Sequence, residues 1–168
     1  MENLEIIISD LLKNELNDFI KHEINKNPVD FKSSHFYNSK ENRELTFHEV
    51  KDFERILSPK GTGNIVLNSF DMDGISIVDV VFVFSFDKEV GDIVINFPLN
   101  KNKIVNDKDK IIKIVNHLLK LKLKYSIEEI LFGYETEEEN MIRISNKEEE
   151  IHLEEQLREL GLIDILQG

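Results

Sequence analysis

One stretch, residues 63–97, limits the folds open to this chain more than any other. It holds three apolar runs, residues 64–70, 75–86 and 92–97, separated by the polar connectors 71–74 and 87–91. β-Branched and aromatic residues crowd the runs, and Asp73-Gly74 and Gly91-Asp92 mark the turns. This pattern predicts an antiparallel three-strand meander. Successive strand residues point to opposite faces, so Val78, Val80, Phe82, Phe84 and Phe86 share one face of the middle run. Ile75, Ile77, Asp79, Val81, Val83 and Ser85 share the other. The first face is wholly apolar and is expected to meet a layer of helices. The second is apolar except for Asp79 and Ser85, so it too is expected to be partly covered.

Helices are expected on both sides of the meander. Over residues 3–25, Leu4, Ile8, Leu11, Leu12, Leu16, Phe19 and Ile20 recur at helical spacing, and Asn27 and Pro28 end the run. Residues 29–42 fit a short strand or a packed loop equally, with Phe31, His35, Phe36 and Tyr37 as the apolar positions. Thr46 and Glu49 have capping-box spacing, which predicts a short helix to Leu57 that buries Phe47, Val50, Phe53 and either Ile56 or Leu57. Alternation through Leu45, Phe47 and Glu49 leaves a strand open there.

A second long helix is expected from Asp107 or Asp109 to about Leu123. Its apolar face is Ile111, Ile114, Val115, Leu118 and either Leu121 or Leu123. Alternation over residues 119–125 leaves an earlier end open. Ser126 and Glu129 repeat the capping-box spacing, predicting one or two helical turns to Phe132 before Gly133. Residues 135–140 read as an acidic loop and 141–144 as a short strand. A last helix opens at Ser145, carries Ile151, Leu153, Leu157 and Leu160, and stops at Gly161. The fold class is α+β: an antiparallel sheet with helices before and after it. No repeat or boundary divides residues 1–168, so one domain is expected.

The absence of cysteine excludes disulfides, thiolate catalysis and cysteine zinc sites. The first ten residues are acidic where a signal peptide needs positive charge, and no apolar run approaches the ~20 residues that span a bilayer. A cytoplasmic protein is the expectation. The formal net charge is -12, and most of it lies after residue 125. A field of that sign repels nucleic acid and anionic membranes and draws basic partners. For any single glutamate, solubility alone is the plainer reading.

Several motifs invite a chemical reading. Phe70-Asp71-Met72-Asp73-Gly74 resembles the nucleophile motif of haloacid-dehalogenase-like phosphatases. In that resemblance Asp71 attacks phosphorus, Asp73 acts as acid and base, and magnesium sits beside both. Three features oppose it. The motif lies mid-chain in a short sequence, the next segment is a strand, and no later Asp-Asp pair follows a strand. A tight hairpin with Asp73 and Gly74 at the turn explains the same residues. His48-Glu49 lacks the second histidine of a zinc-protease motif, since Asp52 stands in its place. The five histidines show no metal-ligand spacing, and no cofactor is called for. Lys110, Lys113, His117, Lys120 and Lys124 form a basic stripe on the second long helix. It has no arginine and no interleaved aromatic, so a solvated helix back is favoured over a phosphate track.

In size, acidity, lack of cysteine and α+β layout the whole chain resembles the small acidic immunity proteins of bacterial toxin systems, including contact-dependent inhibition. The resemblance implies a cytoplasmic antidote that binds one cognate toxin domain and blocks its active site or substrate entry. Many such toxins are basic nucleases, which suits an acidic partner. On that reading the partner-binding residues are Glu135, Glu137, Glu138 and Glu139 in the acidic loop, with Asp71 and Asp73 as a second acidic cluster. An adaptor or regulatory domain is the further alternative.

Overall fold

The computed structural model describes residues 2–26, 30–135, 141–144 and 150–163. Among these, eight strands form one sheet in the order β3-β2-β4-β5-β6-β1-β7-β8. The strands are β1 (Asn3–Leu12), β2 (Asp30–Asn38), β3 (Arg43–Leu45), β4 (Gly61–Met72), β5 (Ile75–Phe86), β6 (Val90–Pro98), β7 (Glu129–Tyr134) and β8 (Ile142–Arg143). Every pairing is antiparallel. The expected meander is β4-β5-β6, and the sheet extends it on both sides.

The largest departure from the sequence reading is at the N-terminus, where a strand replaces the first half of the expected helix. β1 lies between β6 and β7, in the interior of the sheet. Leu4, Ile6 and Ile8 are buried on one face, as strand alternation requires. Leu11 is buried as well, three residues on from Ile8. Asp10 explains this: it is left-handed (φ 55°), and the register shifts between Ile8 and Leu11. Its backbone N–H donates to Asp92 Oδ1 at 3.0 Å. A bulge thus turns strand spacing into an apparent helical one. Three consecutive β-branched isoleucines, Ile6 to Ile8, favour the strand.

The same device corrects the face assignment in β5. Asp79 is left-handed (φ 55°), and the alternation flips there. Ile77 and Val80 are both fully buried, whereas Val78 is only half-buried. β4 flips opposite it, between Leu67 and Phe70, so the pairs Leu67–Val80 and Phe70–Ile77 keep one register. The backbone of Val78 is held by the buried Asn102 side chain. Val78 N–H donates to Asn102 Oδ1 at 2.7 Å, and Asn102 Nδ2 donates to Val78 O at 3.2 Å.

Helices cover one face of the sheet. A 3-10 turn (Lys13–Glu15), α1 (Leu16–Phe19) and a π-helical turn (Ile20–Ile24) follow β1. Thr46 and Glu49 do form a capping box, but it opens a single 3-10 turn (Phe47–Glu49). The helix proper, α2 (Phe53–Ile56), starts later at Asp52, whose side chain accepts from Arg55 N–H. Between β6 and the next long helix lies a short helix, α3 (Leu99–Asn102).

The long helix α4 (Lys108–Lys124) is capped by Asp107, which accepts from Lys110 N–H at 3.0 Å. Its buried face includes Ile111, Ile114, Val115, Leu118 and Leu121, while Leu123 is 74% exposed. Ser126 does not start a helix. It is left-handed (φ 51°), and Ile127 N–H closes on Lys122 O at 3.0 Å, so the segment ends α4. The residues beyond it form β7, with Ile130 and Phe132 buried. The last helix is α5 (Glu150–Glu159), with Leu157 buried and Gly161 left-handed at its end. The expected Ser145 cap and the side chains of Ile151 and Leu153 lie outside the described residues.

Candidate interaction surface

The register brings three of the acidic positions, Asp71, Asp73 and Glu135, to one end of the sheet. Asn3 pairs with Pro98 and Leu4 with Tyr134, so β7 ends beside the start of β1 and the end of β6. The β4-β5 hairpin turns at the same end. Asp71 lies four strand spacings of about 4.8 Å from the β7 end, so it and Asp73 stand roughly 20–25 Å from Glu135 once the offset along the strands is included. Glu135 is exposed, and its Oε2 accepts from Asn3 Nδ2 at 3.0 Å. Glu137, Glu138 and Glu139 lie outside the described residues.

Asp71 and Asp73 are hairpin residues. Asp73 (φ 54°) and Gly74 (φ 90°) are both left-handed, as a two-residue type I′ turn demands. Asp71 is exposed, and its Oδ1 accepts from Gly74 N–H at 3.3 Å. Asp73 is ion-paired with Lys120 of α4. The hydrogen bond from Lys120 holds the Asp73 carboxyl below the usual aspartate range. The phosphatase reading needs a parallel βα arrangement here, and the strands on both sides of the turn are antiparallel. Among the described residues no three His, Asp or Glu side chains are grouped to hold a metal ion.

The basic stripe is largely used in fastening the fold. Lys110 Nζ donates to Asn102 O at 2.6 Å, and Lys124 Nζ donates to Glu23 Oε1 at 2.7 Å. Glu23 is buried, and its Oε1 also accepts from Tyr125 Oη at 2.9 Å. Burial alone would raise the Glu23 carboxyl. The hydrogen bonds from Lys124 and Tyr125 and the charges of Lys124 and Lys26 outweigh that and hold it low.

His117 is not part of an exposed stripe. It is buried beside Phe70, and its Nε2 has no hydrogen-bond partner among the described residues. Burial, then the charge of Lys26, pushes its pKa down, against weaker pulls from Glu23, Asp73 and Asp71. The unfolded chain therefore binds the proton more readily than the folded one, and stability falls as pH drops below about 6.5. Urea unfolding of wild type is expected to show that loss between pH 7.5 and 5.5, and His117→Leu is expected to flatten it. An equal slope in both proteins would show that His117 does not titrate this way.

A groove of about 370 Å³ lies between the β2-β3 hairpin and α2, lined among others by Lys40, Arg43, Glu49, Asp52 and Arg55. Its charges are mixed, and Arg43 is already held by Glu41 and Glu49.

The remaining feature is the sheet face turned away from the helices. The sequence reading expected it to be partly covered, yet Val83 is 36% exposed and Val81 only half-buried. Register places Leu131, Ile7, Val94 and Val83 side by side on β7, β1, β6 and β5. Val81 and Val66 pair next to them. Polar and acidic residues surround this patch: Glu5, Asn96 and Asp92 on β1 and β6, and Glu129, which is paired with Arg143. Tyr37, 50% exposed, stands at the β2 side. The signal in the sequence is the pair of alternating valines, Val81 and Val83, on the face expected to be partly covered.

Comparison with known proteins adds two findings. A family model described as PABL017 Cdi1I immunity protein matches residues 2–150. The fold is similar to a chain in a crystal structure of the toxic C-terminal tip of CdiA from Pseudomonas aeruginosa in complex with immune protein. The TM-score is 0.58 at 14% identity, over 80% of this chain and 86% of that one. At that identity the likeness concerns the fold. No curated protein matches the chain.

Proposed function

Because this chain belongs to the Cdi1I immunity protein family, we propose that it works by binding one cognate toxin domain and holding it inactive. Family membership over nearly the whole chain is the observation that carries this reading. The toxin is proposed to be a basic domain such as a nuclease, which suits a partner of net charge -12. The protein acts by occupation rather than by chemistry of its own, in the cytoplasm, as one domain over residues 1–168. The similar complex, a CdiA toxin tip with its immune protein, supports a partner of the same kind here.

Glu135, Glu137, Glu138 and Glu139 are proposed to steer the encounter, with Asp71 as a second acidic contact and Asp73 a weaker one because Lys120 holds it. Replacing the four glutamates by Gln keeps their size and removes four charges. The association rate is expected to fall about tenfold at low salt, and the loss is expected to shrink as salt rises. Association kinetics against the toxin domain at two salt concentrations measure this. Equal rates at low salt would remove the acidic loop from the encounter. The reading as a whole is tested by growth: cells making the toxin domain should survive only when this protein is made with them. Toxicity unchanged by its presence would refute it.

A further inference from the structure

We infer that the toxin docks on the open face of the sheet, with Ile7, Val81, Val83, Val94 and Leu131 as the apolar centre of the interface. The inference rests on the proposed function for the existence of a toxin partner, and on the structure for where that partner sits. Five strands, β4 to β7 through β1, carry the patch, so it is about 19 Å wide at the usual strand spacing. No ion pair crosses its centre among the described residues, and its side chains are aliphatic. An apolar centre inside a polar rim is the anatomy of a protein interface, whereas scattered exposed valines would need no explanation. Tyr37 adds a half-exposed aromatic at the margin, a residue type enriched where binding energy concentrates.

Charge decides between the possible occupants. The rim carries Glu5, Asp92 and Glu129, with Arg143 opposite Glu129. Two copies of this chain placed face to face would bring these carboxylates together, on molecules that each carry -12. Like charges across an interface oppose association, and a cationic partner turns the same rim into attraction. Glu135 follows the last residue of β7, so its carboxylate adds to the negative rim at that corner.

The test uses the full chain and its cognate toxin domain. Val83→Lys with Val94→Lys is expected to weaken toxin binding about 100-fold, as loss of an interface centre does. Val83→Thr with Val94→Thr keeps side-chain size and strand preference, and about tenfold weakening is expected there. Leu123→Lys, on the exposed side of α4, is the control and is expected to bind as wild type. Circular dichroism establishes that each variant is folded, and the threonine pair answers the question if the lysine pair does not fold. Folded variants that bind as tightly as wild type would overturn the face while leaving the proposed function standing. A wild type that does not bind the toxin would remove both. A wild-type dimer that Val83→Lys converts to monomer, with toxin binding intact, would assign the face to a second copy instead.

Discussion

Truncating Phe84 to alanine is expected to lower the unfolding free energy by about 3–5 kcal/mol, the usual cost of emptying a buried phenylalanine site. Phe84 is fully buried on β5 and lies over Gly63 of β4 and Ile93 of β6. Its ring is 6.0 Å from that of Phe36 and 6.5 Å from that of Phe82. Phe82 in turn meets Phe70 of β4 at 5.1 Å, so the aromatic contacts run from β2 into the meander. Phe36 packs directly on Gly63, where a Cβ would come within 2.3 Å of its ring, so that ring already fills the space the glycine leaves. The cavity term therefore adds to the lost transfer energy. Phe82→Ala is expected to cost a similar amount. Urea or thermal unfolding measures both, and an unchanged melting curve for Phe84→Ala would show that the buried face has been misassigned.

Replacing Lys13 by methionine is expected to destabilise the protein by about 1–3 kcal/mol, chiefly from the buried Leu57 carbonyl left without its donor, with a smaller loss at the part-buried Asp87 carbonyl. Lys13 follows β1 directly, and its ammonium is buried rather than solvated. Nζ donates to Leu57 O at 2.8 Å and to Asp87 O at 2.9 Å, with Pro59 O at 3.5 Å. It ties the start of the helical stretch to the loop before β4 and to the β5-β6 turn. Burial lowers its pKa, and the charges of Glu54 and Asp87 only partly restore it. Methionine keeps most of the stem's packing and removes only the donors. Denaturant titration checks the figure. A Lys13→Met protein as stable as wild type would mean that water satisfies those carbonyls.

The parts of the fold visible in the sequence are those in which one period dominates. The meander has long β-rich runs and an Asp-Gly turn, and α4 has an unbroken apolar stripe with Asp107 in front of it. Both emerge in the structure much as expected. The parts that misled are those where a single residue changes the period. Asp10 and Asp79 are left-handed, and each shifts the next buried residue by one place. Around Asp10, this produced a spacing indistinguishable from a helix. Around Asp79, it exchanged Ile77 for Val78 in the core. Ser126 showed the third ambiguity, because a serine before two glutamates suits an N-cap and a left-handed helix stop equally well. A sequence pattern carries the periods but not the φ angles that interrupt them.

The candidate site was less visible for a different reason. Acidic residues are recognisable one by one, and Glu135, Asp71 and Asp73 are expected as contacts on that basis alone. Asp73 then proves to be engaged by Lys120, a partner 47 positions away that no local pattern links to it. The open face is a property of strand order. Ile7, Val83, Val94 and Leu131 come from four strands, and only the insertion of β1 between β6 and β7 makes them neighbours. The His117 side chain was likewise assigned to the exposed stripe by its spacing, while its burial depends on Phe70 and the sheet beneath.

Calorimetric titration of the purified chain with its cognate toxin domain tests directly whether this protein neutralises a toxin by binding it. A saturable one-to-one complex is expected, with a Kd in the nanomolar range or tighter, and toxin activity should disappear at the same equivalence point. No heat of binding, or a complex in which the toxin stays fully active, would contradict it.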